Sequence, residues 1–376
     1  MEDSSIGQRE FDEAMMRRAL EIARHGAGFV SPNPMVGAVI TGADRTIIAE
    51  GWHERFGQAH AEINALRKAG DADLRGATMY VTLEPCNHHG KTPPCTEAII
   101  GSGIGRVVVA MRDPNPLVGG KGNQRLRSHG IEVVLGVLEK EARRRNEAYI
   151  HYISTGSPFV IVKMAQTLDG FIALPNGESQ WITGELARQR VHQLRAESDA
   201  VMVGFNTALK DNPSLTVRHG VGGRNPRRVV LDASLALPPT LTMLTDDERA
   251  LTIVCTSHEA AATPRADELR AEGIDVLAVR ERRAGELDLD EIVTMLGHRG
   301  IASLLVEGGA TLAGAVVEGE LARKVFLFIA PKLFGHGVTA FKGKPIEHVA
   351  DAYRLNIHAV RMVGEDVMVV AYWHGT

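Results

Sequence analysis

Ala59-His60-Ala61-Glu62, followed after a short apolar run by Glu84-Pro85-Cys86-Asn87-His88-His89-Gly90-Lys91-Thr92-Pro93-Pro94-Cys95, decides how the first part of the chain is read. His60, Cys86 and Cys95 offer one imidazole and two thiolates, a donor set suited to tetrahedral zinc with the fourth position open to water. Three protein ligands indicate catalysis rather than a structural site. Both cysteines stand where helices can begin, Cys95 directly after two prolines, so unpaired backbone N–H groups favour the thiolates. Glu62 follows His60 by two residues and would leave its face in mid-helix. At a helix start both reach one point, which suits Glu62 to pass a proton from an activated water to a leaving amine. Taken singly, an HxE pair is common, and two cysteines nine apart are more often packing residues. In this order, with a strand between them, they point to zinc-dependent deamination. Nucleobase deaminases carry H-x-E and P-C-x-x-C; here eight residues separate the cysteines.

Outward from this stretch, VGAVIT (36–41), TMYVTL (78–83) and RVVVAM (106–111) read as short buried strands. Phe11, Met15, Ala19, Ile22 and Ala23 recur at helical spacing, and further helices are expected to begin near Ala59, Thr96 and Lys121. A last helix is predicted from Leu138 to Tyr152, before the turn residues of Ser154-Thr155-Gly156-Ser157-Pro158. These elements predict an α/β layered domain over residues 1–153 and a second α/β domain over 157–376. In the second, FVIVKMAQ, DAVMVG, RRVVLD, LTIVCT, IDVLAV, SLLVEG, KVFLFIAP and VMVVAYWHG are predicted strands. Gly184 to Glu197, Arg265 to Glu272, Asp288 to Arg299 and Ala310 to Glu318 are predicted helices.

Composition narrows the class. The 376 residues suit two or three domains, and 44% hydrophobic with 23% charged residues excludes disordered and fibrous classes. The 42 basic against 46 acidic residues exclude a strongly basic, nucleic-acid-coating protein. Three cysteines exclude a disulfide framework. The first twenty residues lack the apolar core of a secretory signal and no stretch is apolar enough to span a bilayer, so a cytoplasmic enzyme with no membrane partner is expected.

SPNPMVGAVI (31–40), GWHERFGQAHAE (51–62), VTLEPCNHHGKTPPC (81–95) and DPNP (113–116) resemble the deaminase half of the bifunctional riboflavin-biosynthesis deaminase/reductase family. The long CNHHGKTPPC insert sets it apart from the tight C-x-x-C deaminases. The resemblance implies a cytidine-deaminase-like fold, zinc on His60, Cys86 and Cys95, and Glu62 as catalytic proton shuttle. It also implies substrate contacts at Asn33, His53, His88, Lys91, Asp113 and Asn115. Turn chemistry is the competing explanation for Asn33 and Asn115, which precede prolines, and solvation for His88 and His89.

In the second domain Leu304-Leu305-Val306-Glu307-Gly308-Gly309-Ala310-Thr311-Leu312-Ala313-Gly314 runs from strand through two glycines into helix. Free N–H groups and the helix dipole there face any bound phosphate, although a glycine turn that lets helix and sheet pack closely reads equally well. It is not the GxGxxG fingerprint. KMAQTLDG (163–170), SQWITG (179–184), GFNTALKDNPSLTVR (204–218) and VEGGATLAG (306–314) resemble the reductase half of the same family, whose fold is like dihydrofolate reductase. That implies NADPH contacts at Ala165, Trp181, Thr207, Asp211, Gly309, Ala310, Thr311, Leu312 and Ala313. Substrate contacts are implied at Lys163, Ser179, Arg195, Leu215, Arg218 and Glu307. Arg195 and Arg218 suit a phosphate because a guanidinium offers a bidentate fork. Lys163 and Glu307 are the candidate acids, Arg224, Thr256 and Ser257 are candidates for the cofactor's 2′-phosphate, and Cys255 reads as a buried hydrophobe.

The function so implied is hydrolytic deamination of a diaminopyrimidinone bearing a phosphoribosylamino group, then NADPH-dependent reduction of the ribose to a ribityl chain. The partner is a small pyrimidine ribotide, with no nucleic acid, and a homo-oligomer is compatible with the sequence. The alternatives are a nucleic-acid or nucleoside zinc deaminase fused to a nucleotide-binding domain, and a zinc-stabilised nucleotide-binding protein without catalysis.

Overall fold

A computed structural model describes residues 2–88, 93–115 and 119–373. The chain divides into two compact units, one ending at Gly156 and one beginning at Ser157. No helix among the described residues is long and apolar enough to cross a membrane.

The first unit is built from α1 (Glu2–Ala23), β1 (Gly37–Thr41), β2 (Ile47–Trp52), α2 (Ala61–Ala69), β3 (Thr78–Val81), α3 (Cys95–Gly101), β4 (Arg106–Val109), α4 (Lys121–Ser128), β5 (Glu132–Leu135), α5 (Glu139–Arg145) and α6 (Glu147–Thr155). Its sheet runs β2-β1-β3-β4-β5, antiparallel on either side of β1 and parallel from β3 to β5. Met16, Ala19 and Ile22 of α1 share one core with Ala38 and Ile40 of β1 and Val107 of β4. Because β3 and β4 run parallel and β1 opposes them, the carboxyl ends of β3 and β4 and the amino end of β1 lie together. The loops after β3 and β4 and the segment before β1 therefore meet at one edge. At that junction the Thr82 hydroxyl oxygen accepts the Gly37 N–H at 3.1 Å.

One predicted helix is two. The 138–152 segment breaks at Asn146, which is buried, and whose side chain takes both backbone groups of Met35: the Met35 N–H donates to Oδ1 at 2.8 Å and Nδ2 donates to the Met35 carbonyl at 3.0 Å. An asparagine that finds backbone partners in the chain entering β1 has no need to continue a helix. Strands β2 and β5 were not anticipated because each is short and weakly buried: β2 buries only Ala49 and Gly51, and β5 buries no residue.

The second unit contains β6 (Phe159–Thr167), β7 (Phe171–Ala173), α7 (Glu185–Glu197), β8 (Ala200–Gly204), α8 (Phe205–Asp211), β9 (Arg227–Leu231), α9 (Thr242–Thr245), β10 (Thr252–Ser257), α10 (His258–Ala261), α11 (Pro264–Ala271), β11 (Asp275–Val279), β12 (Glu281–Arg283), β13 (Glu286–Leu287), α12 (Leu289–His298), β14 (Ser303–Val306), α13 (Ala310–Glu318), β15 (Ala322–Ala330), β16 (Val338–Thr339), β17 (Leu355–Val363) and β18 (Asp366–Trp373). A nine-stranded sheet runs β11-β10-β9-β8-β14-β6-β15-β18-β17, parallel from β11 to β15 and closed by an antiparallel terminal hairpin. Both faces are covered, as a parallel sheet requires: Val160, Val162 and Met164 of β6 pack with α12 and α13, while Val201 and Val203 of β8 pack with α7 and α11. The α/β expectation holds for both units. Strand β17 escaped prediction because Ile357, Val360 and Met362 on it are exposed and no buried alternation marks it.

Helix α2 rests directly on β2. A methyl group on Gly51 would stand 2.3 Å from the Ala65 nitrogen and 2.5 Å from the Ala61 carbonyl oxygen. Gly51→Ala is therefore expected to push α2 off the sheet and to destabilise the first unit by about 1–3 kcal/mol, the usual cost of overpacking. A urea unfolding midpoint equal to wild type would contradict this contact.

Candidate active sites

His60 caps the amino end of α2, Cys95 is the first residue of α3 after Pro94, and Cys86 lies in the loop leaving β3. Their donor atoms lie within 4.8 Å of one another. His60 Nδ1 stands 3.3 Å from Cys95 Sγ and 3.6 Å from Cys86 Sγ. Two ligands of a tetrahedral zinc, one nitrogen and one sulfur, lie about 3.5 Å apart given their usual bond lengths. Donor types and spacing therefore fit zinc. Glu62, 3% exposed, occupies the first turn of α2 beside this set. Burial pushes its carboxyl up to about 7, against the opposing influence of His60. The Cys95 thiol, donating to Cys86, holds Cys86 down at about 4 against burial, with help from His60; Cys95 itself is pushed up in return. His60 is raised to about 8 by its hydrogen bond with Cys86.

His53 sits against this centre, its ring edge-on to His60 at 5.5 Å. Because the Ala59 carbonyl, 3.0 Å from Nδ1, can only accept, Nδ1 carries the proton and Nε2 accepts from Asn33 Nδ2 at 3.2 Å. Burial lowers the His53 pKa and keeps the ring neutral. Asn33, His53 and His60 thus form one line of contacts. Asp113 stands after β4, its Oδ1 accepting the Asn115 N–H at 2.9 Å and the Tyr149 hydroxyl at 3.0 Å, and burial raises its pKa. His88, exposed, lies close enough to oppose that rise. Lys91 lies outside the described residues.

Two residues that the motif reading passed over hold this edge together. Glu84, 3% exposed, accepts the N–H groups of Gly120 at 2.8 Å, Asn123 at 3.0 Å and Asp113 at 3.4 Å, tying the loop after β4 and the start of α4 to the Cys86 loop. Asn87 Oδ1 accepts the Thr96 hydroxyl at 2.9 Å, and the Thr96 N–H donates to the Cys86 carbonyl. The signal for Glu84 was its place immediately before Pro85-Cys86. Tyr149 gave none, because its partner is 36 residues away.

In the second unit a cleft of about 1550 Å³ opens at the carboxyl ends of the parallel strands. Lys163, Ala165, Ser179 and Trp181 line it from β6 and the loop after β7, and Thr207, Asp211 and Leu215 from α8 and beyond. The Gly309-Ala310-Thr311-Leu312 turn forms another wall, where Thr207 Oγ1 accepts the Gly309 N–H at 3.3 Å. Its free N–H groups and helix start fit a dinucleotide phosphate. Ala313, next along the helix, does not line the cleft. It is fully buried in the core and its N–H donates to the Gly309 carbonyl.

Arg195 lines the cleft together with Glu307. Its fork is taken: Nε and Nη2 donate to the two Glu307 oxygens at 2.6 and 2.8 Å, and Nη1 donates to the Thr216 carbonyl at 3.2 Å. Burial alone would raise Glu307, but the charge and hydrogen bonds of Arg195, with Lys163 nearby, leave it below the usual carboxylate range. Lys163 is lowered by burial, with Glu307 opposing. Arg218 is exposed on the cleft rim and makes no ion pair among the described residues, which leaves its guanidinium available. The 2′-phosphate candidates do not line the cleft. Arg224 pairs with Asp199 just before β8, at the opposite end of the strands; Thr256 donates to the Ala233 carbonyl, and Ser257 caps α10. Arg282 and Arg283 of β12 line the cleft instead. Cys255 is buried in β10, its thiol pushed up to about 12 by burial.

Residues 9–111 match the cytidine and deoxycytidylate deaminase zinc-binding region, and residues 158–369 match the RibD C-terminal domain. The riboflavin biosynthesis protein RibD of Aquifex aeolicus is 43% identical over 96% of this chain and 98% of its own. That of Synechocystis is 46% identical over 88% of this chain and 86% of its own. The chain belongs to the RibD family. Solved structures agree. The Thermotoga maritima diaminohydroxyphosphoribosylaminopyrimidine deaminase/5-amino-6-(5-phosphoribosylamino)uracil reductase superposes with a TM-score of 0.87 at 41% identity, covering 98% of this chain and all of that one. Acinetobacter baumannii RibD gives 0.87 at 37% identity over 97% of this chain and 99% of its own. Like its family, this chain is a bifunctional enzyme of riboflavin biosynthesis, a zinc-dependent deaminase joined to an NADPH-dependent reductase. A deaminase fused to an unrelated nucleotide-binding domain is not favoured, since the family match runs through both units.

Elemental analysis of the purified chain is expected to give one zinc per molecule. His60→Ala, Cys86→Ser and Cys95→Ser should each reduce that ratio several-fold, and Cys255→Ser should leave it unchanged. A full zinc complement in Cys95→Ser would remove that thiolate from the set.

Proposed function

We propose that the first unit replaces the exocyclic amine of a diaminopyrimidinone ribotide by a carbonyl, and that the second reduces the ribose of the product to a ribityl chain. The observation that carries the first step is the convergence of His60, Cys86 and Cys95 within 4.8 Å beside buried Glu62. Zinc held by these three, when bound, supplies the Lewis acidity that makes water a nucleophile at neutral pH. Glu62 passes the proton released by the attacking water to the ring nitrogen beside the reacting carbon, then carries the remaining hydroxyl proton to the exocyclic nitrogen, which leaves as ammonia while the water oxygen becomes the carbonyl. Neutral His53, fixed by Ala59 and Asn33, and Asp113, fixed by Tyr149, orient the ring and its ribosyl substituent. His88 and Asn115 belong to the same substrate face, and Lys91 is a further substrate contact by sequence motif alone.

NADPH bound along Ala165, Trp181, Thr207, Asp211 and the Gly309–Leu312 turn supplies the hydride for the second step. Lys163 provides the matching proton, to the ribose oxygen freed as the ring opens. Of the two candidate acids, Glu307 is held ionised by the Arg195 fork and is a poor donor. Lys163 reaches the cleft, and burial lowers its pKa towards the useful range. Arg218 takes the substrate phosphate, with Ser179 and Leu215 shaping the pocket around the uracil. Arg195 supports the site by fixing Glu307.

The test follows NADPH absorbance with the diaminopyrimidinone ribotide as sole substrate. Glu62→Gln should keep its zinc and lose ammonia release by about 10²–10⁴-fold, the usual weight of a general acid–base group. NADPH oxidation should vanish with it and return when the deaminated product is supplied. Oxidation that persists in Glu62→Gln without added product would sink the proposed order of steps.

Lys163→Met should lower the turnover of the reductase step by about 10²-fold or more on the same grounds while ammonia release continues. Unchanged turnover in that variant would exclude Lys163 as the proton donor.

A further inference from the structure

Helix α7 presents Arg188, His192 and Arg195 to the cleft at spacings of four and three residues. Arg188 faces the Trp181 ring at 4.7 Å, and Arg195 is spent on Glu307. His192 has no assigned task. It is 5% exposed, and its Nδ1 accepts the backbone N–H of Arg218 at 3.0 Å. A backbone N–H can only donate, so Nδ1 is unprotonated and the neutral ring carries its hydrogen on Nε2. The same ring lies 4.7 Å from that of His219, the residue after Arg218.

We propose that His192 is a positioning residue for substrate phosphate recognition: through its Nδ1 it fixes the backbone of Arg218 and so aims that guanidinium into the cleft. The inference rests on the reading of Arg218 as the phosphate ligand. The backbone around Arg218 needs such an anchor, for Leu215 and His219 both adopt left-handed conformations, with φ of 53° and 59°, which non-glycine residues hold only where surrounding contacts impose them. Val217, between them, has its own tie, its N–H donating to Asn225 Oδ1 at 2.8 Å. The Arg218 N–H has His192. Arg195, Arg218 and His219 all face the His192 ring with positive or potentially positive charge, opposed by Glu307. Together with burial they hold it at about 4, so the acceptor lone pair persists throughout the neutral range.

The experiment compares the deaminated ribotide with its dephosphorylated riboside as substrates of the reductase step in the full chain. His192→Leu should raise KM for the ribotide by about five- to tenfold, the weight of one hydrogen bond, with kcat little changed. Its kcat/KM for the riboside should stay at the wild-type value, so the preference for the phosphorylated substrate falls by the same factor. Asn Oδ1 takes the place of His Nδ1, whereas Gln places its oxygen further out. His192→Asn should therefore recover the preference and His192→Gln should not. Equal losses on ribotide and riboside, or equal behaviour of the Asn and Leu variants, would overturn the proposal. Arg218→Gln separates the two levels: a preference that survives it overturns the phosphate reading itself, while one that collapses in Arg218→Gln yet survives in His192→Leu overturns the inference about His192 alone.

Discussion

Parallel pairing sets neighbouring strand ends side by side, and the chemical groups of this chain stand at such ends. In the first unit β3 and β4 run parallel, so the Cys86 loop and the Asp113 loop leave the sheet together. In the second, β6, β8 and β14 run parallel, and Lys163, Thr207 and Glu307 rise on or just after them. The arrangement has a cost. Loops at a sheet end must satisfy backbone groups that no ladder pairs, and burying them without partners is expensive. The chain meets that cost with single side chains that each take several backbone groups: Glu84 takes three N–H groups and Asn146 takes both groups of Met35. These anchors place the reactive residues as surely as the sheet does.

Charge is handled differently in the two units. The first concentrates an imidazole, two thiols and a buried carboxylate within a few ångströms. Such a cluster is a poor structural device without a cation, since each ionised member is desolvated and two or more share the same sign. In the second unit the buried charges are already paired. Arg195 and Glu307 exhaust one another, and Lys163 beside them is left with a lowered pKa and an open path to the cleft. The pair and Lys163 line the same cleft.

The sequence carried the architecture well and the polar network poorly. Strands such as β1, β8 and β14 are continuous apolar runs because both their faces are buried, and that pattern survives in one dimension. The zinc set was legible because its three residues are chemically rare and closely spaced. The Arg195–Glu307 pairing was not legible because an arginine's fork looks the same whether it holds a phosphate or a carboxylate 112 residues away. The burial of Ala313 was not legible because sequence does not show where exposure ends along a helix start. Glu84, Tyr149 and His192 were passed over because their importance lies in partners brought near only by folding.

The loop from Asn212 to Asn225 shows what such anchoring achieves. Asn212, Leu215 and His219 all have positive φ, and each non-glycine residue held there costs on the order of 1–2 kcal/mol. A free loop would relax. Here Leu215 is buried, Ser214 offers its carbonyl to Arg228, the Arg195 guanidinium holds Thr216, and Asn225 and His192 take the N–H groups of Val217 and Arg218. Residues from Ser214 to Arg218 are tied from different directions, while the Arg218 side chain stays exposed. The ordering that a charged substrate would otherwise have to impose on the loop is thereby met during folding, and an exposed arginine on a fixed backbone keeps more of its binding energy for the ligand.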